Sequence, residues 1–99
     1  MVSKAHQTGV KRTASEHEND GWNVRAEASG WTQPPTIAGR RPDVLATKRG
    51  SRRVIEVETD AHAHQGQHET FRRHAAQKTN TIFIGYIVDS AGRRIERFE

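Results

Sequence analysis

The chain has 99 residues, of which 32% are hydrophobic and 28% charged, with a formal net charge of +4 and no cysteine. That length fits one domain with a thin core, and the missing cysteines exclude disulfides, thiol nucleophiles and cysteine-ligated zinc. No apolar run is long enough for a membrane span or the core of a signal peptide, so the expectation is a cytoplasmic protein without membrane association, whose positive balance suits a polyanionic partner.

In chain order, Val2, Ala5, His6, Val10, Ala14 and His17 recur at helical spacing, with Gly9 as a weak point, and Asn19-Asp20-Gly21 ends the helix. Residues 22–28 then alternate, which predicts a first strand with Trp22, Val24, Ala26 and Ala28 facing inward. Pro34-Pro35 keeps the connection over 29–39 extended, and Trp31 and Ile37 are expected to fold back on the core.

Two strand-type runs follow, Gly39–Ala46 and Val54–Thr59, around a Lys48-Arg49-Gly50-Ser51 turn signal. An Arg49-Gly50 turn sets Asp43 opposite Glu56, and a Gly50-Ser51 turn sets it opposite Glu58. Either register gathers Asp43, Glu56 and Glu58 on one face, because side chains alternate along a strand. Val44, Ala46, Ile55 and Val57 then face the core, which leaves the acid face at an edge or cleft of the sheet. Acids are depleted in strands, and carboxylates held together repel one another. A divalent cation with oxygen ligands relieves that repulsion.

Residues 60–65 read as a polar connection and 67–77 as a second helix with His68, Phe71, Ala75 and Ala76 on its apolar stripe. Thr81–Val88 is the most apolar run, suited to a strand buried on both faces and parallel to a neighbour. Asp89-Ser90 resembles an N-cap, and Ala91, Ile95 and Phe98 at helical spacing predict a short last helix; a hairpin through Ala91-Gly92 is the alternative. His64 and His68 stand four apart, a spacing that binds transition metals on a helix, but no acid or cysteine completes a known motif beside them. Solvated histidines are the expected reading. The basic residues fall in pairs, among them Arg40-Arg41, Lys48-Arg49, Arg52-Arg53 and Arg72-Arg73, as candidate phosphate contacts.

Pro42-Asp43, twelve further residues and then Glu56-Val57-Glu58 resemble the signature of the PD-(D/E)xK nuclease superfamily. The chain is similar above all to restriction-endonuclease-like members and to small archaeal proteins like the Holliday junction resolvases. The resemblance implies an α/β fold with an αβββαβ core over residues 1–99: a mixed four-stranded sheet flanked by helices. It implies that Asp43 and Glu56 hold Mg²⁺ or Mn²⁺ with the backbone carbonyl of Val57, joined by a first-helix glutamate, Glu16 or Glu18. Gln67 best matches the family's glutamine facing the metal, with Gln65 second. Glu58 stands where lysine is usual, as in some restriction endonucleases. It would accept a proton from the attacking water or bind a second metal, with Arg41 or Arg53 supplying the missing positive charge. The implied activity is metal-dependent hydrolysis of nucleic acid, DNA first, by a homodimer. The alternative is a catalytically inactive nucleic-acid-binding module of the same fold.

Overall fold

Ser3 accepts the His6 N–H at 3.0 Å, a side-chain cap that starts the first helix. The structure, a computed structural model, describes residues 3–60 and 62–99; Val2, first of the expected helical stripe, lies outside them. The elements are α1 (Lys4–Asn19), β1 (Asn23–Ala26), β2 (Val44–Lys48), β3 (Ser51–Glu58), α2 (Gln65–Ala76), β4 (Thr81–Val88) and β5 (Arg94–Phe98). They form an α+β domain. Its single mixed sheet runs β1-β2-β3-β4-β5, with β3 and β4 parallel and the other neighbours antiparallel.

α1 runs unbroken through Gly9. A Cβ at Gly9 would come within 2.8 Å of Val57 Cγ1, so the missing side chain lets the helix lie close on β3 and β4. Val10 and Ala14 of α1 pack there with Ala26, Val44, Ala46, Ile55, Val57, Ile84, Tyr86 and Val88. Trp22, Val24, Ala28 and Trp31 close the margin of that core.

The β2–β3 turn is Arg49-Gly50, both at positive φ (50° and 84°), the backbone that suits a two-residue hairpin loop. The register runs from Lys48↔Ser51 to Val44↔Ile55, and one further step sets Asp43 opposite Glu56. The acid face is not an open edge or cleft. It carries a second core of Ile37, Leu45, Val54, Phe71, Ala75 and Phe83 under α2. With helices on both faces, Val54 to Glu58 of β3 are all buried.

The expected last helix is instead β5, which makes five strands where four were expected. Asp89 Oδ1 accepts the N–H groups of Ala91 and Arg93, both at 2.9 Å, and Gly92 takes φ +79°, so the chain reverses there. Phe98 then lies across Gly85 and packs beside Phe83, with ring centroids 6.1 Å apart. A spacing that fits a helix is used here as an antiparallel edge strand, because the turn chemistry at Asp89–Gly92 comes first along the chain.

A Cβ at Gly85 would collide with the Phe98 ring. Gly85→Ala is therefore expected to destabilise the fold by about 1–3 kcal/mol through overpacking, with partial recovery in the Gly85→Ala, Phe98→Leu double variant. Urea unfolding of the three proteins measures both effects.

Candidate functional site

The site begins where two strands part. β2 pairs with β3 only as far as Val44↔Ile55, while β3 continues beside β4 to Glu58↔Ile87. Beyond Ile55, side chains stand in for the missing ladder. Asp43 Oδ2 accepts the Val57 N–H at 2.8 Å, and Glu56 Oε2 accepts the Asp43 N–H at 2.9 Å. Each acid thus satisfies a backbone donor of the facing segment, as buried donors require.

Glu56 is only 2% exposed. α2 brings Gln67 over it, with Gln67 Nε2 donating to Glu56 Oε1 at 2.7 Å and to the Arg41 carbonyl at 3.3 Å. Burial, and then the charge of Asp43, push the Glu56 carboxyl up to about 9, although the Asp43 N–H and Gln67 both favour its charged form. Glu58 is 4% exposed. Its Oε2 lies 2.7 Å from His68 Nε2 and 3.0 Å from His64 Nδ1. His68 is buried beside Phe83 and Phe98, with centroids 5.9 and 5.2 Å away. At the outer margin His6 of α1 sets Nε2 3.3 Å from Asp43 Oδ2. The hydrogen bond to Asp43 raises the His6 pKa against the opposing effect of burial, and the Asp43 charge and the Val57 backbone add to the rise.

Among the described residues, Glu56, Glu58 and His68 form a buried group that could hold a metal ion: each offers a ligand atom within 4.8 Å of the others. Asp43 is outside this tight group, its carboxylate turned toward the Val57 N–H and His6. Gln67, rather than the exposed Gln65, is the glutamine that reaches the acids. Glu16 and Glu18 do not approach. Glu16 pairs with Arg94 at 2.7 Å, ten residues along α1 from His6, or about 15 Å of helix. The helix presents His6 to Asp43 in place of a glutamate.

The basic pairs are dispersed. Arg41 is near the site, but its Nε donates to the Pro34 carbonyl at 2.9 Å and lies 3.6 Å from Glu27. Arg40 is exposed in the turn before it. Lys48, Arg49, Arg52 and Arg53 sit at the turn end of the hairpin, where six residues of strand separate Arg49 from Asp43 by about 20 Å. There the Arg53 guanidinium stacks 4.4 Å from the Trp22 ring centre and meets His17 Nε2 at 3.2 Å, so it is not a counter-charge for the acids. Arg72 and Arg73 both pair with Glu69.

Three histidines of the site, His6, His64 and His68, carried no assigned role in the sequence. The usable signal for His6 was a polar residue on the buried stripe of α1. For His64 and His68 it was their spacing, whose acid partner, Glu58, comes from a distant strand. Compared with known proteins, the chain has no significant match to a family model, a curated sequence or a solved structure.

The raised Glu56 carboxyl fixes a pH dependence. Between its ordinary 4.5 and about 9 the folded chain holds a proton that the unfolded chain releases. Stability of the metal-free protein should therefore fall as pH rises through that window, by at most about 1.4 kcal/mol per pH unit. His6 acts in the same direction. Its raised pKa gives stability that is complete below 6.5 and lost as pH rises through the folded value. Chemical denaturation across pH should show a flatter profile for Glu56→Gln than for the wild type.

Proposed function

We propose that this chain is a PD-(D/E)xK-like nuclease that hydrolyses phosphodiester bonds in nucleic acid, DNA first, with Mg²⁺ or Mn²⁺. The observation that carries the reading is the meeting of Asp43 and Glu56 across the diverging β2 and β3, with Glu58 two residues on and Gln67 of α2 donating to Glu56. The order α1-β1-β2-β3-α2-β4 supports it, since αβββαβ is the order the resemblance implies, with β5 added at the edge.

The donor set fits a hard cation: carboxylate oxygens of Asp43 and Glu56 with the Val57 carbonyl as a third oxygen. Glu56 fits it further, because a carboxyl pushed up to about 9 marks a place where added positive charge would be stabilised. A bound divalent ion there would polarise the scissile phosphate and acidify an attacking water. Gln67 orients Glu56, and α2 keeps bulk water from its inner oxygen. Asp43, the most accessible of the three acids with its side chain 18% exposed, is where a phosphate would approach. Glu58 accepts hydrogen bonds from His64 and His68, which makes it a base with two attached proton carriers rather than the positive group that lysine supplies. Cleavage of both strands of a duplex would call for two copies of the chain.

A second reading, a nucleic-acid-binding module without catalysis, is favoured by one observation. The basic and aromatic groups Trp22, Lys48 and Arg53 gather at the turn end, where Lys48 Nζ is 5.8 Å from the Trp22 ring centre, and not around the acids.

Asp43→Asn separates the two. The amide still accepts the Val57 N–H, so the fold should persist, while Mg²⁺-dependent cleavage should fall by about 100-fold or more, since the metal's charge stabilisation is worth several kcal/mol. Cleavage of branched, duplex and single-stranded DNA by the two proteins is the measurement, and equal rates would refute the nuclease reading. Nucleic-acid affinity is expected to survive Asp43→Asn but to drop steeply with added salt. A combined Lys48→Ala, Arg53→Ala variant should weaken binding and flatten its salt dependence, read by fluorescence anisotropy at several salt concentrations.

A further inference from the structure

Glu58 meets two imidazoles at once. His68 Nε2 and His64 Nδ1 lie 2.7 and 3.0 Å from the same carboxylate oxygen, Oε2, and His64 Nδ1 is 3.1 Å from Oε1. The Glu56 carboxylate offers a ligand atom within 4.8 Å of those of Glu58 and His68. Two carboxylates and the His68 nitrogen thus gather in one tight group, and His64, outside that group, meets the same Glu58 carboxylate. We propose that His68, Glu58 and Glu56, with His64 turning in as the fourth ligand, form a binding site for a borderline divalent transition metal, with zinc as its representative; it shares Glu56 with the oxygen-only site at Asp43 and differs from it in donor chemistry.

The chemistry of the donors selects the ion. Imidazole nitrogen with carboxylate oxygen suits zinc, cobalt and their neighbours, whereas Mg²⁺ and Ca²⁺ take oxygen ligands. The geometry is near what a four-coordinate ion needs. Bonds of about 2.0–2.2 Å hold tetrahedral donors about 3.3 Å apart. His68 and His64 stand 2.7 and 3.0 Å from Glu58 Oε2, Glu56 lies within 4.8 Å of Glu58 and His68, and the exposed His64 side chain has room to turn in and complete the set.

His68 and Glu56 are already held, and His64 is tethered beside them. His68 is fixed by α2 and by Phe83 and Phe98. His64 precedes the helix in the left-handed region, at φ 58° and ψ 31°, and its carbonyl accepts the His68 N–H at 3.0 Å, which links the two imidazoles. Glu56 is oriented by Gln67 and by the Asp43 N–H, the kind of outer hydrogen bonding that supports metal ligands. Charge also favours occupation. Two carboxylates buried under α2 are costly, and one divalent cation with two neutral imidazoles leaves the group neutral. The His64 side chain is 67% exposed beyond its contact with Glu58, so it is free of packing that would hold it from a bound ion.

This inference does not rest on the nuclease reading, since no phosphodiester chemistry enters it. The test titrates the full metal-free chain with Co²⁺, followed by its visible absorption, and then displaces it with Zn²⁺ while melting is recorded. One equivalent of Co²⁺ should bind with a four-coordinate spectrum, and Zn²⁺ should displace it and raise the melting temperature. Changes to groups that only support a ligand cost about 10–100-fold in affinity, so His64→Ala and His68→Gln, which remove ligands, should lose at least about 100-fold. His62→Ala should bind as the wild type does. The exposed His64 keeps the test decisive if His68→Gln folds poorly. Absence of one-equivalent binding, or wild-type affinity in His64→Ala, overturns the proposal. Zinc binding in a protein that cleaves nothing removes the nuclease and leaves this site standing; Mg²⁺-dependent cleavage without zinc binding does the reverse.

Discussion

The exchange between Asp43 and β3 is the contact on which the site depends. Where β2 stops pairing, the Val57 N–H would be left in the interior without an acceptor, and the Asp43 carboxylate takes its place at 2.8 Å while Glu56 receives the Asp43 N–H at 2.9 Å. An unsatisfied buried donor costs about 1–3 kcal/mol, so these acids stabilise the split between the strands that creates the site. Their placement thus has a structural reason as well as a chemical one. The same oxygens that would face a cation also complete the hydrogen bonding of the sheet.

The two helices give the two faces different chemistry. α1 lies on an almost wholly apolar face, close enough to require Gly9. α2 covers the face that carries Glu56 and Glu58, and it meets them with Gln67 and His68 on the same side as Phe71 and Ala75. Burying carboxylates beside apolar rings raises the cost of their charge, which is why the Glu56 carboxyl holds its proton to about 9. A cation that displaced the proton would act on a low-dielectric site already arranged for it. His6, reaching Asp43 from α1, sets beside these acids an imidazole whose pKa that contact raises.

Charge is also divided along the molecule. The acids and their histidines occupy the end where β2 and β3 part, and Lys48, Arg49, Arg52 and Arg53 occupy the turn end with Trp22. A polyanion held at the turn end would not by that contact reach Asp43. A nucleic-acid substrate would have to run along the hairpin or engage Arg40 and Arg41, which lie beside the acid end.

The sequence by itself determined what depends on neighbours in the chain. Arg49-Gly50 permits the two-residue turn, and counting back from it sets Asp43 opposite Glu56. The apolar run Thr81–Val88 made a buried strand parallel to β3, and Gln67 fell one turn before Phe71 on the covered side of α2. Tertiary structure decided the rest. Ala91, Ile95 and Phe98 fit either a helix or a strand, and the Asp89–Gly92 reversal with the seat for Phe98 on Gly85 chose the strand. Nothing local says that Glu58 will meet His64 and His68, that His6 rather than Glu16 or Glu18 will reach Asp43, or that Arg53 will stack on Trp22. Those meetings join residues far apart in the chain. They follow from which helix covers which face of the sheet, a choice made by burial of the whole core and not by the spacing within any one segment.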